Sequence, residues 1–299
     1  MSKCSNITRA VLLDRLNRSS SVTKPIIAAA TAISMLASLP AAAADTPHYE
    51  VVEFDAVEWG ALNAARGDAS PRAGDLWGDR ARDEASGFLV RFDEGFSSPP
   101  HIHNVTYRGV VIGGAIHNDD PEAAPLWLSP SSFWTQPAGE DHVTAARGVF
   151  NMAYIEIDSG PYLVRPSAEA FDNGERPINV AASNLVWLDG DDVTFLPVSD
   201  GSGAQTAFLW ADRETGEGGS LLRLPAGSLS RIATNAGPLR AVVTSAGIRY
   251  TNPQTTGEVA LGAGSYFGST GKAVHTISCD TEDDCLLYIR TSAAFTLAE

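Results

Sequence analysis

Three histidines carry the chemistry this chain most visibly offers. His101 and His103 stand two residues apart in Gly95-Phe96-Ser97-Ser98-Pro99-Pro100-His101-Ile102-His103, and His142 follows Pro137-Ala138-Gly139-Glu140-Asp141. Side chains alternate along a β-strand, so His101 and His103 share one face. The Pro-x-Gly turn before His142 can return a neighbouring strand to that face. Three neutral imidazoles on rigid strands make a first shell for one divalent transition ion, with positions left open for water, substrate or dioxygen. Fe(II), Mn(II), Zn(II), Ni(II) and Cu(II) all accept imidazole, so the ligands do not choose the metal.

Other side chains are candidates for the same cavity. Tyr107 shares the strand parity of His101 and His103 and is a phenolate ligand, an acid/base group or a pocket wall. Trp134 and Gln136 precede the third histidine and line the pocket, unless Trp134 is simply core. Tyr154 and Glu156, on the strand after it, are placed there as well. Glu140 is read as a solvated loop charge or an acceptor that orients His142. His117, in His117-Asn118-Asp119-Asp120-Pro121, reads as a surface turn. Nucleophile elbow, Walker loop and Rossmann glycine patterns are all absent.

These residues resemble the cupin superfamily, whose first motif is G-x5-H-x-H-x3,4-E-x6-G and whose second contains P-x-G-x2-H. Gly95, His101, His103 and Gly114 match the first, and Pro137, Gly139 and His142 the second. Tyr107 stands where cupins place a glutamate ligand. Tyr107-Arg108-Gly109-Val110-Val111-Ile112, Phe133-Trp134-Thr135-Gln136-Pro137 and Phe171-Asp172-Asn173-Gly174-Glu175-Arg176-Pro177 resemble the two-domain bacterial group filed as domain of unknown function 4437. The resemblance implies a jelly roll and a metal, and supplies no reaction.

The elements that must position the histidines are strands. Short apolar runs bounded by Gly, Pro, Asp and Asn recur after residue 45, without an amphipathic helical stretch. The chain also repeats itself. Gly87, Arg91 and Gly95 map onto Gly219, Arg223 and Gly227 at an offset of 132, and Leu76-Trp77 onto Leu209-Trp210 at 133. A duplicated β-domain follows: an all-β bicupin built as a duplicated double-stranded β-helix. We expect a metal-binding cupin domain at 45–165, a turn-rich linker at 166–192 and a degenerate cupin domain at 193–299. At offset 132, His101 becomes Ala233, His103 becomes Asn235 and Tyr107 becomes Leu239, while His275 survives beside His142's place. One metal per chain is therefore expected. The second domain is left a structural, ligand-binding or homodimer-forming role.

Residues 1–44 read as a signal peptide, with five basic residues before an apolar run from Pro25 to Pro40 and four alanines at the cut. The run is short for a bilayer span. Removing it takes five of the 21 Lys and Arg and one of the 36 Asp and Glu, moving the net charge from −15 to −19. Lys272 is then the only lysine. That balance excludes nucleic acid as a partner and disfavours anionic membranes after cleavage. A periplasmic or secreted destination lets Cys279 and Cys285 form a disulfide. Two functions from different classes remain open at this stage. One is an enzyme, oxygenase-like or isomerase/lyase-like, acting on a small organic molecule. The other is a binding module for a metal or small ligand without turnover.

Overall fold

The computed structural model of the protein describes residues 46–190, 192 and 202–298. The expected signal peptide lies outside them. Among the described residues helix is confined to short 3-10 turns, and no helix is long and apolar enough to cross a membrane. Everything else regular is strand, and every ladder is antiparallel, as turn-bounded runs without crossover helices require.

The first half builds a seven-stranded sheet in the order Ile178–Val180, Phe133–Gln136, Tyr107–Asp119, Val143–Ile157, Ser86–Phe92, Arg72–Trp77, Gly60–Ala61. Two of these strands are unusually long, at 13 and 15 residues. They bend where their register shifts between Val111 and Gly113 and again between Gly113 and Ala115. Gly114 occupies the corner with φ at 76°, and a Cβ there would meet Asn151 Oδ1 at 2.2 Å. Glycine is the residue that takes this conformation without penalty. Past the corner the strands curl toward His101–His103, which pairs with Val164–Pro166. The wrap encloses an apolar interior that includes Phe88, Val111, Ile116, Trp134 and Ile155.

The second half repeats the design with a break in place of the bend. A six-stranded sheet runs Tyr49–Val52, Tyr266–Ser269, Leu239–Ser245, Cys285–Thr291, Gly218–Leu224, Gln205–Ala211. A five-stranded sheet runs Val259–Leu261, Ile248–Thr251, Ala273–Ser278, Leu229–Thr234, Phe295–Ala298. Between Leu239–Ser245 and Ile248–Thr251 the corner falls on Ala246, also left-handed at φ 58°. Two segments depart from a simple division into halves. Tyr49–Val52, near the start, pairs with Tyr266–Ser269. Ile178–Val180, inside the expected linker, is an edge strand of the first half's sheet. The disulfide is present between Cys279 and Cys285, with Cα atoms 5.9 Å apart.

A third apolar layer, shared between the halves, holds Leu89, Val110 and Tyr154 against Leu221, Val242 and Tyr288. Each half brings the same pair of contacts to it, one internal and one reaching across. Trp77 Nε1 donates to Tyr154 at 2.9 Å and Trp210 Nε1 to Tyr288 at 2.8 Å. Arg108 lies over the Trp210 ring at 3.7 Å and Arg240 over the Trp77 ring at 4.0 Å. Stacked guanidinium on indole stabilises such a layer by about 0.5–2 kcal/mol per pair.

Candidate metal centre

His101 and His142 face one another across an antiparallel pair. Each backbone N–H donates to the other's carbonyl, at 3.1 and 3.0 Å. Directly opposed residues in an antiparallel ladder share a face, and their ring centroids lie 4.3 Å apart. His103, two residues along, joins them at 5.1 and 5.2 Å. One ring nitrogen from each of the three lies within 4.8 Å of the others', the one such His/Cys/Asp/Glu group with two buried members in this barrel among the described residues.

The remaining nitrogens are held by the backbone. Nδ1 of His101 donates to the Pro99 carbonyl at 2.9 Å, that of His103 to Leu163 at 3.1 Å, and that of His142 to Glu140 at 3.0 Å. Each bond fixes the tautomer and leaves the lone pair on Nε2. Burial holds all three imidazoles neutral. His142 is pushed down to about 3 by burial, with neighbouring His101 adding to it. His103 is held well below its ordinary value by burial and then by His142 and His101. His101 is lowered by burial, the Arg66 charge acting in the same sense, against the Pro99 carbonyl and Asp141. Neutral imidazoles with unprotonated Nε2 atoms are the protonation state that a cation requires.

Two phenols stand over these nitrogens. The Tyr107 hydroxyl lies 3.3 Å from His142 Nε2 and donates to Asn118 Oδ1 at 2.9 Å. The Tyr162 hydroxyl lies 3.1 Å from His103 Nε2, and its ring stacks on the His103 ring at 4.2 Å. Burial raises both phenols above their ordinary value, so both are neutral hydroxyls at physiological pH. Asn118 also accepts from Thr144 at 2.7 Å and donates to Gln136 Oε1 at 2.9 Å. Gln136 in turn reaches the Glu140 carbonyl at 3.4 Å, the same oxygen that holds His142. A closed polar chain thus runs behind the site from the Tyr107 hydroxyl to the Nδ1 of His142.

The structure brings the three histidines and Tyr107 together; His101, His103, Tyr107 and Trp134 line a cavity of about 460 Å³, and the fully buried His142 stands behind them. Several other expected residues lie elsewhere. Gln136 does not line the cavity; it buttresses Asn118 from behind. Tyr154 and Glu156 are not pocket residues either. Ile155 between them faces the cavity, and strand alternation sends its neighbours to the opposite face. There Glu156 accepts from Tyr154 at 3.0 Å and Tyr288 at 2.7 Å, between the halves. His117 is buried rather than at the surface, within the strand Tyr107–Asp119. Glu140 acts through its carbonyl oxygen, not its carboxylate. Sequence reasoning missed Asn118, Thr144 and Tyr162. Thr144 shares the parity of His142 and was open to discovery. Asn118 is reached only across the bulges, and Tyr162 sits in a loop without periodicity.

Among the described residues the second half has no counterpart. Pairing places Ile232 opposite His275, where His101 is opposite His142, so Ile232 and Thr234 fill the places of His101 and His103. The expected equivalents, Ala233 and Asn235, are one residue out of register. His275 has both ring nitrogens engaged, Nδ1 by Tyr250 at 2.7 Å and Nε2 by Ser269 at 2.8 Å.

Solved structures share this architecture. A protein described as a putative dioxygenase from Nostoc punctiforme is 18% identical with a TM-score of 0.61, over 82% of this chain and 83% of that one. The protein Ylba from E. coli is 13% identical with a TM-score of 0.55, over 81% and 90%. An oxalate decarboxylase from Lactobacillus farciminis, solved as a formate complex, is 8% identical with a TM-score of 0.54, over 83% and 88%. At these identities the likeness speaks for the fold, a cupin jelly roll. A search of curated proteins found no match. Residues 50–298 match the family described as domain of unknown function (DUF4437), and the chain belongs to that cupin family.

Proposed function

We propose that this protein is an exported, metal-dependent cupin enzyme acting on a small organic molecule, by oxygenase-like or isomerase/lyase-like chemistry. The observation that carries the reading is the set of three neutral imidazoles, each tied by Nδ1 to a backbone carbonyl, with one ring nitrogen from each within 4.8 Å of the others'. The donor set fits a divalent transition ion, held by His101, His103 and His142 at one per chain. Once bound, such an ion supplies Lewis acidity or, if redox-active, a site for dioxygen.

The protein's own part is positioning and proton handling. Asn118 and Thr144 fix the Tyr107 hydroxyl beside the imidazoles, so a bound molecule meets a neutral phenol that can donate at its oxygen. Tyr162 holds His103 by stacking and offers a second hydroxyl. Cupin neighbours that are named as a dioxygenase and a decarboxylase favour an enzyme over a binding module.

Metal analysis of protein purified from the exported fraction without added salts tests the reading. About one transition ion per chain is expected, and a chain that neither carries nor takes up such an ion rejects it. Tyr107→Phe and Tyr162→Phe should each keep the ion and reduce turnover, which separates a proton-handling role from ligation.

A further inference from the structure

The cavity above the imidazoles has a composition at odds with the rest of the molecule. The whole chain carries 36 acidic residues, yet no Asp or Glu lines this recess. Its body is apolar, formed by Val90, Phe92, Phe96, Trp134 and Ile155. Two cations reach it. Arg165 is engaged by Glu169 at 3.3 Å. Arg66 lies in the 3-10 turn Ala64–Ala69, whose start is capped by Asn63, and rests over the Phe96 ring at 5.5 Å. Among the described residues Arg66 forms no ion pair and its guanidinium has no hydrogen-bond acceptor. Inside the recess, Trp134 is 1% exposed and its indole N–H also has no acceptor.

A half-buried guanidinium without an acceptor, on the rim of an acid-free apolar recess, is complementary to one carboxylate joined to a hydrophobic body. A second carboxylate would find no second free cation. We propose that the recess takes a small hydrophobic monocarboxylate, about the size of benzoate, with its carboxylate on Arg66 and its apolar body against Phe92, Phe96 and Trp134. This deepens the proposed function and rests on it for the catalytic consequence. Binding itself needs only the recess. Arg66 is then a specificity-determining residue: it draws the acid end outward and leaves the far end of the molecule toward the imidazoles and the two phenols.

Calorimetric titration with benzoate, benzamide and acetate tests this on the metal-stripped and the metal-reloaded protein. Benzoate should bind both forms. A lost charge-assisted bond costs about tenfold or more in affinity, so benzamide, which lacks the charge, should bind at least that much more weakly. Acetate, which lacks the body, should do the same. Arg66→Gln should weaken benzoate by a similar factor while metal content and the melting temperature stay unchanged. Equal affinity for benzoate and benzamide overturns the proposal, as does an undiminished Arg66→Gln or a larger loss in Arg165→Gln. Should the selectivity appear in a protein that takes up no metal, the recess stands and the metal reading falls. Should metal load fully and benzoate give no heat at millimolar concentration, the recess falls alone.

Discussion

The two halves of this protein are built on one plan and differ in what fills the barrel. In the first, Gly109 lies opposite Trp134 and Ile155; in the second, Ala241 lies opposite Phe267 and Ile289. Asn118, which anchors Tyr107, is matched by Tyr250, whose ring stacks on Phe267 at 4.6 Å. Thr144 is matched by Ile277, and Gln136 by Ser269. Asn118 and Thr144, which tie the site together in one half, are replaced by a ring and an aliphatic side chain in the other. The surviving His275 is fully buried between Tyr250 and Ser269 and belongs to no cluster of three ligating side chains among the described residues. One scaffold thus keeps a cavity by placing small and polar residues where its copy places large apolar ones.

Four experiments would break or sharpen that contrast. The largest effect belongs to the ligands. His142→Ala should empty the site of metal, with affinity falling at least a hundredfold when one of three imidazoles is lost. His275→Ala should leave metal content intact, and metal analysis of both variants settles whether the second half contributes.

Next comes pH. Burial pushes His275 down to about 4 from 6.5. As pH falls below 6.5 the unfolded chain takes up a proton that the folded protein refuses, so stability is lost between about 6.5 and 4. The contribution of this group between pH 7 and 4.5 is about 2–3 kcal/mol. Urea titrations at both pH values should show that much less acid loss in His275→Gln than in the parent protein.

Gly109→Ala probes the cavity wall. A Cβ at Gly109 would fall 2.2 Å from the Trp134 ring, and overpacking of this kind costs about 1–3 kcal/mol. Adding Trp134→Phe copies the Ala241 and Phe267 pair of the second half. It should recover at least half of the loss in chemical denaturation, and strict additivity of the two changes would refute the equivalence.

The smallest effect lies at the corners. Ala246 takes the left-handed conformation that Gly114 takes in the first half. Ala246→Gly should be neutral or stabilising by up to about 1 kcal/mol. Gly114→Ala, with Asn151 and the Phe150 carbonyl in the way, should destabilise the protein. Thermal melts of both variants check the pair.

Much of the fold and of the site is legible in the sequence. The repeat, the strand pattern and the spacing of His101, His103 and His142 led to a duplicated jelly roll with its metal candidate in the first half. The errors share a cause. Strand logic is binary, so one residue of slippage reverses a face. A fixed offset of 132 aligned His101 with Ala233, whereas pairing aligns it with Ile232, because the connection before that strand is one residue shorter. Two bulges in Tyr107–Asp119 hid Asn118 inside what looked like a turn. Tyr154 and Glu156 were assigned to the cavity although their own parity with Ile155 sends them to the layer between the halves. Tyr162 had no pattern to betray it, since its place depends on how a loop packs.

The pairing of Tyr49–Val52 with Tyr266–Ser269 has a consequence for how the chain is completed. The first strand to be made has no partner until more than two hundred residues later, so the sheet closes only when almost the whole polypeptide is available. Contacts so distant in sequence slow folding, because the loop between them must be closed before they return any energy. They also bind the fate of the two halves. A cut anywhere between residues 192 and 202 would yield a front piece carrying a strand it cannot use and a rear piece with an open sheet edge. Such an edge is a template for pairing with other chains, so the severed rear piece should aggregate where the intact protein stays dispersed.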